Sequence, residues 1–339
     1  MPNNPTKILL STTLLGGILI SISSNSWLGA WMGLEINLMS FIPIMSSQEN
    51  IYTTEASLKY FLVQALASST LLFMVIMKTL ADQTLLTNKL FSYTMMTPLL
   101  LKMGAAPLHW WFPSVMEGLS WMNCLVMMTL QKMAPMMLIS YLMKMNTPTM
   151  GIILTSVIIG SLGGMNQTSL RKILTYSSIN HTGWMLTAML GGNNLWLMYF
   201  TVYSLLTSAI TIIAKSYNIS FVNQTMTVNS SAKTKYILFS TLLSLGGLPP
   251  FVGFLPKWIV IQMMITNNLM FMMTIMVVSS LMTLYYYLRV CYSSFTISHG
   301  KLKWSKPMNT SNKYILHGLM LASVSMLGLL VCTSITNTN

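Results

Sequence analysis

Charged residues are scarce in this sequence: they make up 7% of the chain, against about 25% in a typical soluble domain. By contrast, 53% of the residues are hydrophobic. A surface that faces water cannot be built from so few charged side chains, so lipid must surround most of the chain. Long apolar runs such as 66–77 and 270–288 do not alternate apolar and polar residues as the strands of a membrane β-barrel do. The sequence therefore predicts membrane-spanning helices.

Acidic residues are the rarest charged group, with five in the chain against 18 lysines and arginines, which gives a net charge of +13. In a soluble protein this excess would indicate nucleic acid as a partner. Here the basic residues mostly flank apolar spans, and no basic patch carries interleaved aromatic residues. We therefore expect no nucleic acid partner.

Cysteine is also scarce, since the three cysteines are isolated and lie in apolar runs, where they are expected to be small buried side chains. The sequence contains no CxxC, HExxH, GxGxxG or Walker-type loop. It therefore gives no support for a metal, flavin, nucleotide or haem site within this chain.

Apolar runs bounded by polar residues, prolines or glycines predict an all-α polytopic membrane protein with about 11 transmembrane helices. The predicted spans are 7–23, 27–45, 55–77, 91–116, 119–143, 149–166, 170–190, 194–216, 236–266, 269–297 and 314–336. No connection between them is long enough to form a soluble domain. Chemistry is therefore expected among the helices or in partner subunits.

The basic residues are distributed unevenly between the two sides of the membrane. The N-terminal side carries Lys7, Arg171, Lys172, Lys215, Lys233, Lys235, Lys301, Lys303, Lys306 and Lys313. The opposite side carries only Lys78, Lys89 and Lys144. The positive-inside rule then predicts an N-terminus on the cytoplasmic or equivalent side and a C-terminus on the other side.

Two predicted helices are interrupted in mid-membrane by helix-breaking residues, at 104–107 and at 246–253. The carbonyl groups that such breaks release must find partners in a cavity or on a neighbouring helix. Because the breaks are five helices apart, the second group of five helices crosses the membrane in the opposite sense to the first. This pattern predicts two inverted five-helix repeats, over 1–145 and 146–297, followed by a polar loop and a C-terminal helix over 298–339.

Four charged residues lie deep within predicted helices: Glu35, Lys102, Lys132 and Lys257. Each is expected to cost roughly 2.5–3.5 kcal/mol at the centre of a membrane helix. Glu35 can form a buried ion pair with one lysine, which leaves two lysines without an acid in the membrane interior of this chain. A lysine buried without a counter-charge can gain and lose a proton near neutral pH. The alternatives are contacts that only hold helices together, or pairing with a carboxylate from another subunit.

His181 lies midway along the seventh predicted helix, and histidine side chains titrate near neutrality. It is therefore a further candidate for a proton-carrying group at the same depth in the membrane. His109, just past the first break, is a weaker one. Polar residues that could hydrate or bridge such a path are Gln131, Tyr176, Ser177, Ser178 and Asn180. Lys59 and Arg289, near helix ends, are instead expected to extend their charged groups towards the membrane surface.

Several motifs together resemble one known family. They are WLGAWMGLEIN (27–37), TEASLKYF (54–61), LKMGAAPLHWWFP (101–113), QKMAP (131–135), GGMNQTSLRK (163–172), YSSINH (176–181) and LGGLPPFVGFLPKW (245–258). This series resembles the antiporter-like membrane subunits of animal mitochondrial NADH:ubiquinone oxidoreductase, respiratory complex I, and the insect form most closely. The resemblance runs in order from about residue 25 to 295 and weakens in the tail.

The resemblance implies roles for individual residues. Glu35 and Lys102 match the family's Glu–Lys pair, Lys132 its central lysine, Lys257 the lysine of the second broken helix, and His181 a residue of the polar axis between them. Small departures from the family pattern occur at Asn180, where relatives often have Ala, and at the residue after Lys102, which is Met. Neither departure removes a titratable group.

The resemblance also implies a setting. The chain would lie in the mitochondrial inner membrane with its N-terminus in the matrix and its C-terminus in the intermembrane space. Its partners would be the other membrane-arm and peripheral subunits of the complex and the lipid bilayer, with cardiolipin as a candidate lipid. FMN, iron–sulfur clusters and ubiquinone would be bound by other subunits, and no redox centre is expected in this chain.

The resulting hypothesis is proton translocation driven by quinone reduction elsewhere in the complex. Opening or closing of the Glu35–Lys102 pair would shift the proton affinity of Lys132 and Lys257. Two other functions stay open on the sequence: a stand-alone cation/proton antiporter of related fold, and a purely structural membrane subunit.

Overall fold

The computed structural model of the protein describes residues 5–47, 50–80, 85–227 and 232–296, together with Ser323. Over these ranges the ordered elements are α-helices, and the one pairing of extended chain is an isolated antiparallel bridge between Ser169 and Phe221. The predicted all-α fold class is therefore confirmed.

The chain divides into two compact units, Met1–Lys144 and Met145–Asn339. In the first unit the helices are α1 (Pro5–Ser23), α2 (Trp27–Met45), α3 (Ile51–Leu80), α4 (Leu85–Met103), α5 (Trp111–Gly118), α6 (Trp121–Met128) and α7 (Leu130–Leu142). In the second unit they are α8 (Thr147–Met165), α9 (Leu170–Leu190), α10 (Asn193–Ser216), α11 (Val222–Thr227), α12 (Ala232–Gly246), α13 (Phe254–Thr266) and α14 (Met270–Thr296). The inverted relation between the predicted repeats 1–145 and 146–297 stays a prediction.

The first ten predicted spans each coincide with one helix or with a pair of short helices, whereas the eleventh, 314–336, lies outside the described residues apart from Ser323. Seven stretches of the described chain are long and apolar enough to cross a membrane. They are Pro5–Ser23, Trp27–Met45, Ile51–Leu80, Trp121–Leu142, Thr147–Met165, Asn193–Ser216 and Met270–Tyr292. The remaining predicted spans in this part are either interrupted or, in α9, too polar.

Helix α9 can carry many polar residues because other helices of its own unit surround it. It packs against α8, α10, α13 and α14, and 17 of its 21 residues are buried. Shielding from lipid lets this helix carry serines, threonines, an asparagine and a histidine that a lipid-facing helix would not tolerate. By contrast, large apolar side chains such as Leu19, Leu66 and Leu281 are more than 60% exposed, as expected of helices that face acyl chains.

Local sequence sets several helix ends. The Ser26 side chain accepts a hydrogen bond from the Gly29 amide and caps α2. Helix α8 begins with a capping box between Asn146 and Thr149, with a proline in the first turn. These caps satisfy amide groups that a membrane interior could not hydrate.

Glycines allow the first two helices of each unit to approach closely. A Cβ atom on Gly33 would lie 2.5 Å from the Ser21 amide nitrogen of α1. In the second unit a Cβ on Gly160 would lie 2.5 Å from the Asn180 nitrogen of α9. Membrane helices associate largely through such close packing, because lipid offers no hydrophobic driving force between them.

Both predicted helix breaks are confirmed. Residues 104–110 separate α4 from α5, and residues 247–253 separate α12 from α13. Each break begins at a glycine with positive φ, +70° at Gly104 and +82° at Gly247. A third, smaller interruption was not predicted: Thr129 has φ −114° and ψ −78° and separates α6 from α7 within the predicted span 119–143.

We expect the Gly33→Ala substitution to destabilise the protein by about 1–3 kcal/mol, because the added methyl group meets backbone atoms that cannot move independently. The matched control is Gly16→Ala on α1, where a Cβ would meet nothing within 4 Å. Thermal unfolding of the purified, assembled protein measures the difference. Equal unfolding temperatures for the two variants would contradict the packing described for α1 and α2.

Candidate functional site

The three predicted lysines are all buried. Lys102 is 7% exposed, Lys132 1% and Lys257 6%, although each lies in a helix that apolar residues dominate. Each also lies within four residues of a helix interruption: Lys102 just before the first break, Lys132 just after Thr129, and Lys257 just after Gly253. A helix interruption supplies backbone carbonyls and space that a continuous helix does not.

At the first break, carbonyls near the end of α4 are bonded by side chains from other elements. The Trp111 indole nitrogen donates to the Leu101 carbonyl over 3.0 Å, and Gln64 Nε2 of α3 donates to the Lys102 carbonyl over 3.3 Å. The expectation that released carbonyls find partners elsewhere is met here. These bonds fix the backbone from which the Lys102 side chain extends.

Glu35 lies on α2 and is half-buried, close enough to interact electrostatically with Lys102. The two described side chains do not approach within the 4 Å of a direct ion pair, whereas the exposed pair Lys59–Glu55 on α3 does, at 2.6 Å. The predicted Glu35–Lys102 ion pair is therefore not a direct one in this structure, and a functional partnership between these two separated charges stays a prediction.

Between α2, α3, α4 and α7 lies a small polar cavity of about 10 Å³. Its lining consists of Leu34, Asn37, Leu38, Tyr60, Gln64, Lys102, Gln131 and Pro135. Asn37 and Gln131 exchange two hydrogen bonds of 3.0 Å each, and the Tyr60 hydroxyl donates to Gln131 Oε1 over 3.3 Å. The cavity thus brings Lys102 together with uncharged polar groups, several of which are hydrogen-bonded to one another.

Lys132 on α7 lies over an aromatic ring. Its Nζ atom is 5.1 Å from the centre of the Phe112 ring, a distance typical of a cation–π contact. The same ring occupies the space beside Gly104, where a Cβ would lie 3.1 Å from Phe112 Cβ. Phe112 therefore links the first helix break to the central lysine.

In the second unit, Lys257 turns back onto the break that precedes it. Its Nζ donates to the Gly246 carbonyl over 2.9 Å and lies 5.8 Å from the centre of the Trp184 ring of α9. A Cβ on Gly247 would lie 3.1 Å from this Nζ atom. Glycine at the break therefore provides both the backbone turn and the room for the ammonium group.

His181 is 7% exposed, and its Nδ1 atom lies 2.9 Å from the Tyr199 hydroxyl of α10. Its ring is also 5.2 Å from that of Tyr203. Tyr199 and Tyr203 lie one helix turn apart on α10, and both side chains contact His181. Among the bridging residues predicted for this region, Ser177, Ser178 and Asn180 are buried on the same helix.

The weaker candidate, His109, lies in the first break, is 6% exposed and stacks on Trp110 with a ring distance of 5.2 Å. Its Nδ1 atom lies 3.3 Å from the Pro107 carbonyl. Both of these contacts are with residues of the same break, so His109 packs within the break.

The side chain of Arg289 does not lie where the sequence predicted. Instead of extending to the membrane surface, its guanidinium donates to the carbonyls of Met165 and Gln167 over 2.5 and 2.7 Å. These carbonyls lie at the C-terminal end of α8, which attracts a positive charge. Arg289 therefore ties α14 to the end of α8.

Four further polar residues of the sites were not predicted: Asn37, Tyr60, Gln64 and Tyr199. Asn37 and Gln64 could have been found, since an amide within an apolar span needs a partner. The two tyrosines gave no such signal, because tyrosine is common in membrane proteins near the interfaces. Over the described ranges, no group of three or more His, Cys, Asp or Glu side chains could hold a metal ion, and Cys124 and Cys291 are buried.

Comparisons with known proteins agree with this geometry. The family model "NADH:quinone oxidoreductase/Mrp antiporter, TM" matches residues 24–283. NADH-ubiquinone oxidoreductase chain 2 of Anopheles gambiae is 50% identical over 326 residues, which cover 95% of each chain.

Two solved structures share the fold. A chain of respiratory complex I from Thermus thermophilus has a TM-score of 0.84 at 22% identity and covers 98% of this chain and 80% of its own length. A chain of the Mrp complex from Dietzia sp. has a TM-score of 0.82 at 15% identity, covering 96% and 75%. The resemblance that the motifs indicated is thus confirmed: the chain belongs, with its chain 2 relatives, to the NADH:quinone oxidoreductase/Mrp antiporter transmembrane family.

Proposed function

We propose that this chain is a proton-translocating membrane-arm subunit of the mitochondrial NADH:ubiquinone oxidoreductase, and that Glu35, Lys102, Lys132, His181 and Lys257 carry protons through it. Membership of the family and the relatedness to a chain 2 protein over 95% of both lengths support the first part. The observation that carries the second part is the burial of three lysines, each beside a helix interruption.

Buried lysines of this kind are costly, at roughly 2.5–3.5 kcal/mol each at a helix centre, and apolar residues would pack there without that cost. A function that requires a titratable group at membrane depth explains why they are present. The break beside each lysine supports this assignment, since it supplies polar backbone groups for either protonation state of the side chain.

The separated arrangement of Glu35 and Lys102 provides the responsive element in the first unit. Two opposite charges brought to about 4 Å in a medium of effective dielectric constant 20 attract by about 4 kcal/mol. Moving one proton against 100 mV requires about 2.3 kcal/mol. The energy of closing and opening this pair is therefore at least as large as the work of moving one proton across the membrane, and in this proposal the change in charge position alters the proton affinity of Lys132.

The energy source is quinone reduction elsewhere in the complex, which changes the charge along the polar axis. In the second unit, Lys257 exchanges protons from its position against the Gly246 carbonyl, and His181 holds or releases a proton at its ring with Tyr199 bonded to Nδ1. The chain binds no redox group in this proposal, and FMN, iron–sulfur clusters and ubiquinone are bound by other subunits.

The proposed setting is the mitochondrial inner membrane, with the N-terminus in the matrix and the C-terminus in the intermembrane space. The excess of lysine and arginine on the N-terminal side supports this orientation. The partners are the other membrane-arm and peripheral subunits and the lipid bilayer, with cardiolipin as a predicted lipid. Exposed apolar side chains such as Leu19 and Leu66 support the lipid contact.

Replacement of Lys102, Lys132 or Lys257 by methionine is expected to reduce proton pumping and coupled turnover severalfold while leaving assembly intact, because methionine fills the same space without a titratable group. The measurement is the number of protons moved per electron by membranes that contain the assembled complex. Native gel electrophoresis reports the amount of complex.

The matched control is Lys59→Met, because Lys59 is an exposed lysine whose ion pair with Glu55 contributes little. It should pump normally. If all three buried-lysine variants also pump at the normal stoichiometry and rate, the proposal is wrong. If they lose complex without losing protons per electron, the lysines hold helices together and the structural alternative is correct.

The second candidate is a stand-alone cation/proton antiporter, which the fold shared with a chain of the Mrp complex favours. The purified chain in liposomes is expected to show little sodium- or potassium-driven proton movement, because the redox reaction that drives it lies in other subunits. A pH-sensitive dye inside the liposomes measures this. Exchange that disappears in the Lys132→Met variant would instead support the antiporter.

A further inference from the structure

The amide pair of Asn37 and Gln131 is an unusually complete contact for a membrane interior. Each side chain donates to the other over 3.0 Å, so that one N–H and the carbonyl oxygen of each amide are bonded at once. Both side chains are buried, and the Tyr60 hydroxyl adds a third bond to Gln131 Oε1. The pair therefore holds α2 to α7 in one register.

Loss of one partner would leave the other amide unsatisfied where no solvent can reach it, whereas replacement of both by apolar groups of similar shape is close to neutral. Stability alone therefore does not require these two amides. Two leucines would connect α2 and α7 about as well, so the polar pair calls for another explanation.

The position of the pair supplies that explanation. Asn37 follows Glu35 on α2 by two residues, and Gln131 immediately precedes Lys132 on α7. The bonded amides thus join the helix that carries the acid to the helix that carries the central lysine. Both amides also line the cavity that contains Lys102.

The cavity has the size and lining of a site for one water molecule. Its volume of about 10 Å³ is close to the minimum that a water requires. Such a water needs two to four polar partners, and the lining offers Lys102, Gln64, Tyr60 and the amide pair. The Lys102 ammonium group has three donors, and none of them bonds to another described residue.

We propose that Asn37 and Gln131 are positioning residues that, with Tyr60 and Gln64, bind one water molecule against Lys102 and couple the Glu35–Lys102 charge pair to Lys132. The coupling part rests on the proposed function, whereas the water site does not. When Lys102 moves towards or away from Glu35, the water and the amide pair follow it, and the position of the Gln131 side chain, next to Lys132 in the sequence, changes with them.

The water site is tested by a density map of the assembled complex at a resolution that shows ordered water. One water is expected within hydrogen-bond distance of Lys102 Nζ and of at least one carboxamide of the cavity. A map with clear density for these side chains and none for a water between them would overturn this part of the proposal.

The coupling is tested with three variants of the complex. In Asn37→Leu/Gln131→Leu both amides become apolar, so the protein is expected to assemble in normal amount but to lose proton-coupled turnover severalfold and to lose the water. In the exchanged variant Asn37→Gln/Gln131→Asn the two amides and their summed length are retained, so most of the coupling should return. Ser57→Ala, at a buried serine of α3 whose hydroxyl donates to the Thr54 carbonyl of its own helix, is the matched control and should behave as the unmodified complex.

Normal protons per electron in the double-leucine complex would overturn the coupling, as would an exchanged variant that pumps no better than the double-leucine one. A purely structural role predicts loss of assembled complex without a change in protons per electron, which also contradicts the proposal. Measuring the Lys132→Met variant in parallel distinguishes failure of the proposed function from failure of the positioning role alone. If it pumps normally, the proposed function itself fails; if it does not pump while the double-leucine complex does, only the positioning role fails.

Discussion

Burial of the lysine ammonium group in a helical membrane interior is the constraint on which the rest of the structure depends. A continuous helix uses all its backbone carbonyls and offers nothing to such a group. The chain meets this constraint by interrupting a helix next to each lysine, at Gly104, Thr129 and Gly247. Glycine with positive φ is then needed for two of these turns, and the released carbonyls need the donors found on Trp111, Gln64 and Lys257 itself. Each buried lysine of this protein is therefore linked to an irregular stretch of backbone beside it.

The same constraint explains which helices face lipid. The backbone at the interruptions and the polar side chains of α9 cannot be exposed to acyl chains, so within each unit the long apolar helices must shield them. Close approach of those helices needs small residues at the crossing points, which Gly17, Gly33 and Gly160 provide. The glycines of the chain thus serve two purposes, backbone turns at the breaks and close packing around them.

Much of this could be predicted from the sequence because the signals are local. Apolar runs, Pro–Gly breaks and mid-span charges each occupy a few consecutive residues, and they located ten helical spans, two breaks and the three buried lysines. The interruption at Thr129 escaped prediction because no proline or glycine marks it; the Thr129 hydroxyl instead bonds back to the Leu125 carbonyl. The Asn37–Gln131 pair and the Arg289 contacts with the end of α8 join residues 94 and more than 120 positions apart, so only the folded chain reveals them. The roles of the five proton-path residues stay predictions, because geometry alone does not show a proton moving.

The two lysines beside the large breaks differ in a way that bears on mechanism. Lys257 is bonded to a backbone carbonyl of its own break, a partner whose position is fixed by the turn at Gly247. Among the described residues, Lys102 bonds to no backbone carbonyl; its side chain lines a cavity of movable side chains, and the Glu35 carboxylate is not in direct contact with it. A group with a fixed partner keeps one environment, whereas a group with movable partners can change its environment in response to a distant charge. Under the proposed function, this asymmetry puts the lysine with movable charged and polar neighbours in the first unit and the lysine with a fixed carbonyl partner in the second.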